Sequence, residues 1–138
     1  MIIEYIQGIY CCDVKTSYDK AIYQKYSIDL IIHCTKDYQF IDIKDIKKLR
    51  IPLSEELNYH TDIPLLKLNL DKILSYIYNN FIDYNILLVC YDGNKISPLI
   101  FGLFINKYGN IHINLIKDII KSKNKNFMID FNLNIFNR

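Results

Sequence analysis

The chain has 138 residues, 51% hydrophobic and 23% charged, with a formal net charge of +2. That is one domain's worth of chain, expected to span residues 1–138, and long enough to bury a core without metal or disulfide support. The near balance of charge argues against a nucleic-acid binder, which shows a dominant basic face, and no run reaches the roughly 18 apolar residues of a membrane span.

Ile2–Ile6 and Ile9–Cys12 read as short strands separated by Gln7-Gly8. Thr16 or Ser17 is placed to N-cap a helix running to about Tyr26. Asp29–Cys34 is a continuous apolar run after its first residue, the pattern of a strand buried on both faces. Asp45–Leu53 reads as another strand, closed by Pro52. From Pro64 to about Phe81 the apolar residues recur at helical spacing, with Pro in the first turn. Ile86–Val89 is the next buried strand. A helix is expected from Ser97 or Pro98 to about Lys107, another from about Ile113 to Lys121, and a last one from about Ile129 to Phe136. This order predicts an α/β three-layer sandwich, with a mixed central sheet of about four to five strands flanked by helices.

The composition is skewed. Ile, Lys, Asn and Tyr number 27, 15, 14 and 12, whereas there are two Arg, Arg50 and Arg138. All four abundant residues use AT-rich codons, which points to an AT-rich genome such as that of a large DNA virus, a parasite or a social amoeba. The 12 Tyr follow no common interval, so codon bias and core packing explain them better than base stacking does. The Lys-rich stretch over residues 117–125 reads as a solvated helix end. Met1-Ile2-Ile3-Glu4 lacks the basic start of a secretory signal, so a cytoplasmic location is expected, or host cytoplasm or virion for a viral protein. Cys11, Cys12 and Cys34 then read as reduced, buried thiols. His33, His60 and His112 share no ligand spacing; no metal and no cofactor are expected, and His33 is expected to be a satisfied buried imidazole.

The junction after Ile86–Val89 carries the chemistry. Cys90 is followed by Tyr91-Asp92-Gly93-Asn94-Lys95-Ile96-Ser97 and then a helix. Loop amides and the helix dipole make such a junction a natural anion site, and the same field stabilises a thiolate there. Taken alone, the pattern favours the plainer alternative, a buried Cys ending a core strand.

Other fragments favour the first alternative. Ile6-Gln7-Gly8-Ile9-Tyr10 resembles the "I-x-x-G-L-Y" opening of the dual-specificity protein phosphatases, a branch of the cysteine-dependent protein tyrosine phosphatases. Lys25-Tyr26-Ser27-Ile28 and Leu30-Ile31-Ile32-His33-Cys34-Thr35 resemble "K-Y-x-I-T-H-V-I-N-C-T". Leu49-Arg50-Ile51-Pro52-Leu53-Ser54-Glu55 resembles "Y-x-x-I-P-I-x-D". Leu87-Leu88-Val89-Cys90 through Pro98 falls where the family has "V-L-V-H-C-x-x-G-x-x-R-S-P", and Ile120-Lys121-Ser122-Lys123 where it has "V-K-x-K-R". The fragments come in the family's order along nearly the whole chain.

The resemblance implies a phosphate loop over residues 91–97, Cys90 as the nucleophile position, Gly93 for a close turn and Ser97 as a hydrogen-bond partner of the thiolate. It also locates the departures. The family's loop Arg, which grips two phosphoryl oxygens bidentately, is Ile96. The preceding His is Val89. The general-acid Asp falls most nearly on Glu55, and Asp92 puts a carboxylate inside the loop. Lys95 stands one position from the Arg and is expected to neutralise Asp92 rather than replace it; Tyr91 is a candidate to cover the pocket. The expectation is a pseudophosphatase that serves as a binding or regulatory module for a phosphoprotein, a kinase or a phosphatase, without nucleic acid or membrane partners. The alternative is an active Tyr/Ser/Thr phosphatase with an atypical loop. Oligomeric state is not legible from the sequence.

Overall fold

A computed structural model describes residues 1–136. The elements are β1 (Ile2–Ile6), β2 (Ile9–Asp13), α1 (Val14–Ser17), α2 (Lys20–Lys25), β3 (Ile28–His33), β4 (Lys47–Arg50), α3 (Asp62–Asn80), β5 (Asn85–Cys90), α4 (Ile96–Tyr108) and α5 (Ile116–Lys123). Single 3-10 turns cover Ile113–Leu115 and Leu133–Phe136. The five strands form one sheet in the order β1-β2-β5-β3-β4. Only β1–β2 is antiparallel; β2–β5, β5–β3 and β3–β4 are parallel, so the sheet is mixed as expected.

Strand β5 lies in the middle, and its residues Ile86 to Cys90 are all buried. A central parallel strand is covered on both faces, which is why its sequence runs apolar without alternation. Tyr10, Cys12, Ile31, Leu87 and Val89 pack on one face with Val14, Ile22 and Tyr23 from α1 and α2. Cys11, Leu30, Ile32, Leu88 and Cys90 pack on the other with α3, α4 and α5. The result is three layers. Helix α4 is buried at every position from Ile96 to Phe104, because the sheet and two helices enclose it. Gly102 permits the closest approach: a Cβ there would stand 2.5 Å from Ile116 Cγ2.

Three elements differ from the sequence expectation. The helix expected up to Tyr26 is two pieces, restarted at Asp19, whose carboxylate accepts the Ala21 N–H at 3.0 Å. Thr16 and Ser17 are not its cap: Thr16 donates to Asp13, and Ser17 donates to Val14 O at 2.5 Å. The strand expected over Asp45–Leu53 is confined to Lys47–Arg50. Asp45, at φ +66, breaks the extended run before it, and Pro52 ends it. The last helix is only the 3-10 turn Leu133–Phe136; Asn132 Oδ1 accepts the Asn134 N–H at 2.9 Å, a local side-chain turn that competes with helix. Arg138 lies outside the described residues. Among the described residues, no helix is long and apolar enough to cross a membrane.

Candidate active site

The parallel strands β2, β5 and β3 all end on the side of the sheet where the Cys90 loop begins, the usual place for a ligand crevice in an α/β sheet. Cys90 is opposite Asp13 in the β2–β5 register. The chain then turns through Tyr91–Lys95 into α4. Gly93 makes that turn possible: it sits at φ +75, and a Cβ would stand 2.9 Å from Asp13 N and 3.0 Å from Cys12 C. Only glycine tolerates both the left-handed backbone and the contact with the end of β2.

Cys90 is fully buried. Its Sγ lies 3.1 Å from Ser97 Oγ, and the backbone N–H groups of Ser97 and Lys95 are turned toward the sulfur. Burial pushes the thiol up from its ordinary value; the Ser97 and Lys95 donors oppose this, and the Asp92 charge adds to it, leaving the net direction upward. Asp92 Oδ1 lies 4.0 Å from Cys90 Sγ and accepts the Asn94 N–H at 2.8 Å. A carboxylate oxygen of the chain thus stands where an oxyanion held by that amide would stand. Ile96 is 1% exposed and belongs to the core between the sheet and α3–α5, so the position expected to carry Arg contributes packing and no positive charge.

Lys95 does not pair with Asp92, contrary to expectation; its Nζ donates to Glu56 O at 3.1 Å. Asp92 needs no cation there because it is exposed and already bound to Asn94. Tyr91 bridges two neighbouring segments: its hydroxyl donates to Leu53 O at 2.7 Å and accepts the Lys36 N–H at 3.2 Å. Its ring meets Tyr38 edge-on at 5.9 Å. Tyr91 and Lys95 together hold the Leu53–Leu57 segment beside the phosphate-loop position. Glu55 lies on that segment, exposed, with no hydrogen bond or ion pair of its side chain among the described residues.

The sequence reading missed three side chains that organise this end of the sheet. Asp62, 1% exposed at the start of α3, accepts the Ser54 N–H at 3.1 Å, the Asn58 N–H at 2.7 Å and the Ser54 hydroxyl. Burial raises this carboxyl, but the three donors outweigh it and hold it below its ordinary value. An acid at the start of a helix was the available signal. Buried Asn124 donates to Asn94 Oδ1 at 3.0 Å and Tyr5 OH at 3.2 Å, tying the segment after α5 to the loop. Arg50 reaches Thr35 O at 2.7 Å and Tyr38 O at 2.6 Å, and so fixes the segment that meets Tyr91. His33 is only half satisfied. Its Nδ1 pairs with Thr35 Oγ1 at 2.8 Å, while its buried Nε2 has no partner. It is beside Val89 in the sheet and against Phe40, on the face opposite Cys90. Burial, helped by Arg50, lowers it to about 4.

Two cavities of about 210 and 250 Å³ flank the loop and share Asp92 and Asn94. Asp13 lines the first, and Asp130 and Lys95 the second. An incoming anion therefore meets three carboxylates and two ammonium groups, Lys95 and the Met1 terminus that pairs with Asp13 at 3.0 Å. No cluster of three or more His, Cys, Asp or Glu among the described residues could hold a metal ion.

No protein-family model matches the chain, and no curated protein matches it in sequence. Solved structures do match it in three dimensions. Human DUSP28 superposes with a TM-score of 0.79 over 94% of this chain and 84% of that one, at 8% identity. DUSP15 gives 0.78 over 91% and 78%, at 17% identity. A human tyrosine phosphatase-like serine/threonine/tyrosine-interacting protein gives 0.67 over 94% and 87%, at 14% identity. Identities this low carry the architecture, and the architecture is that of the dual-specificity phosphatases.

Proposed function

We propose that this protein is a pseudophosphatase: a dual-specificity-phosphatase-like domain that acts as a binding or regulatory module and turns over phosphate esters very slowly or not at all. The observation that carries the reading is the Asp92 carboxylate bound to the Asn94 N–H, 4.0 Å from the Cys90 sulfur. It supports the reading because a phosphoryl oxygen would compete with a resident negative charge for the same amide. The buried Ile96 supports it further. Losing an Arg that stabilises a transferring phosphoryl group costs about 10³–10⁵ in rate in comparable chemistry. One of the matching folds is itself described as phosphatase-like and interacting, which fits a domain of this architecture serving as a binding module.

The retained Cys90–Ser97 pair at 3.1 Å favours the other reading, a working protein phosphatase with an atypical loop. Hydrolysis of p-nitrophenyl phosphate by the wild type and by Cys90→Ser separates the two. A pseudophosphatase shows no Cys90-dependent rate. A rate near that of ordinary cysteine phosphatases, lost in Cys90→Ser, sinks the proposal. Ile96→Arg combined with Asp92→Ala, checked for folding because Ile96 is a core residue, is expected to gain inorganic phosphate binding.

A further inference from the structure

Strand β4 is one of the two edges of the sheet, β1 being the other, and lies two strands away from β5. Its Ile51 neighbour donates an N–H to His33 O at 2.9 Å. Peptide groups alternate in direction along a strand, so Lys47 and Leu49 also turn theirs toward β3. The peptide groups of Lys48 and Arg50 therefore point outward, with no strand beyond them among the described residues.

Beside this edge lies a cavity of about 370 Å³, walled by Leu49, Ile51 and Pro52 on one side and by Leu65, Ile73 and Tyr76 of α3 on the other. No acid lines it; Lys72 does, together with Arg50, whose guanidinium is bound to Thr35 O and Tyr38 O. Lys48 and Arg50 extend over the opposite face of the strand, both against the Phe40 ring. None of Lys47, Lys48, Arg50 and Lys72 makes an ion pair among the described residues.

We infer that β4 is a docking edge for an extended segment of a partner protein in which acidic and apolar residues alternate. A strand added to β4 pairs its backbone with the outward groups of Lys48 and Arg50. Side chains alternate across it. The residue opposite Leu49 falls into the apolar cavity, and those opposite Lys48 and Arg50 meet cations that have no carboxylate partner among the described residues. A second copy of this chain fits poorly, since pairing β4 with β4 sets Lys47-Lys48-Leu49-Arg50 against itself. Lysines on an edge strand discourage such self-pairing, and the same charges select an acidic partner. The inference goes beyond the reading of the Cys90 loop and does not depend on it; its test contains no phosphate.

The test is a displayed library of random ten-residue peptides selected on the full chain. Selected peptides are expected to carry at least two acids alternating with apolar residues. Binding of a fluorescein-labelled selected peptide is expected to weaken at least tenfold in Lys48→Pro, which removes an outward N–H and no internal ladder bond, and likewise in Lys48→Glu/Lys72→Glu. In the wild type, the peptide is expected to slow hydrogen exchange at the Lys48 and Arg50 amides; this readout holds even if Lys48→Pro does not fold. Failure to select any peptide, selection of basic peptides, undiminished binding to a folded Lys48→Pro, or unchanged exchange at those amides overturns the inference. So does sedimentation showing a dimer that Lys48→Pro converts to monomer, because the edge would then belong to a second copy.

Discussion

Replacing Asp92 by Asn tests the electrostatics of the loop with almost no change of shape. Asn keeps an oxygen for the Asn94 N–H, so the turn survives, and only the charge 4.0 Å from the Cys90 sulfur is lost. Two unit charges at that distance interact by about 4 kcal/mol at an effective dielectric of 20 and about 1 kcal/mol in water. Asp92 is exposed, which places the effect near the lower end, roughly 1–2 kcal/mol against the thiolate. Below the thiol's midpoint, the thiolate fraction should rise about 5- to 30-fold in Asp92→Asn. The assay is iodoacetamide alkylation at fixed pH, with Cys90 followed by peptide mass spectrometry and Cys90→Ser as the control. The gain should shrink between about 0.01 and 1 M salt, because exposed charges are screened. A change smaller than twofold, or a slower reaction, would refute the view that Asp92 sets the charge state of the loop.

Other consequences concern stability. Ile96→Ala removes a core side chain from the start of α4 and should cost about 2–4 kcal/mol in denaturant unfolding; a cost below 1 kcal/mol would mean that the position is not packed. Gly93→Ala must place a Cβ at φ +75 against the Asp13 backbone, so it should lose more than the roughly 1–2 kcal/mol of the left-handed backbone alone, with thermal unfolding as the check. Asp62→Ala removes the acceptor of three donors from Ser54 and Asn58 and should cost about 2–3 kcal/mol. Because the Asp62 carboxyl is held low in the fold, its contribution is full above the unfolded value near 4 and is lost as pH falls through the folded value. His33 acts in the same direction over a higher pH window. Its value falls to about 4 in the fold against about 6.5 unfolded, so the unfolded chain binds the extra proton between those limits. Stability should then drop by roughly 3 kcal/mol as pH falls from 6.5 to 4, and His33→Leu should flatten that slope in pH-dependent melts.

The sheet and its order of elements were legible because burial writes itself into the residue pattern. Leu30 to Ile32 and Ile86 to Cys90 are apolar without alternation since both faces of the central strands are covered. Residues 65–81 repeat with helical spacing because α3 has one face on the core. The elements misjudged were those whose ends depend on a single backbone or side-chain event: the Asp19 cap between α1 and α2, and the left-handed Asp45 before β4. At the candidate site, residue type and spacing marked the Cys90 loop as a candidate, and the resemblance to the dual-specificity phosphatases singled out the glycine at its turn and the absence of Arg at position 96.

Direction and partnership belong to the tertiary structure. Spacing could not tell whether Asp92 would meet Lys95 or turn into the loop; the fold gives its oxygen to the Asn94 N–H and sends Lys95 to Glu56 O. Nor could it show that Asp62, Asn124 and Arg50 converge on the segments around Cys90, because each comes from a different element, far away along the chain. Sequence fixes which groups exist and their local periodicity; only the close packing of strands and helices decides which buried donor finds which acceptor, and that decides the charge an incoming anion meets.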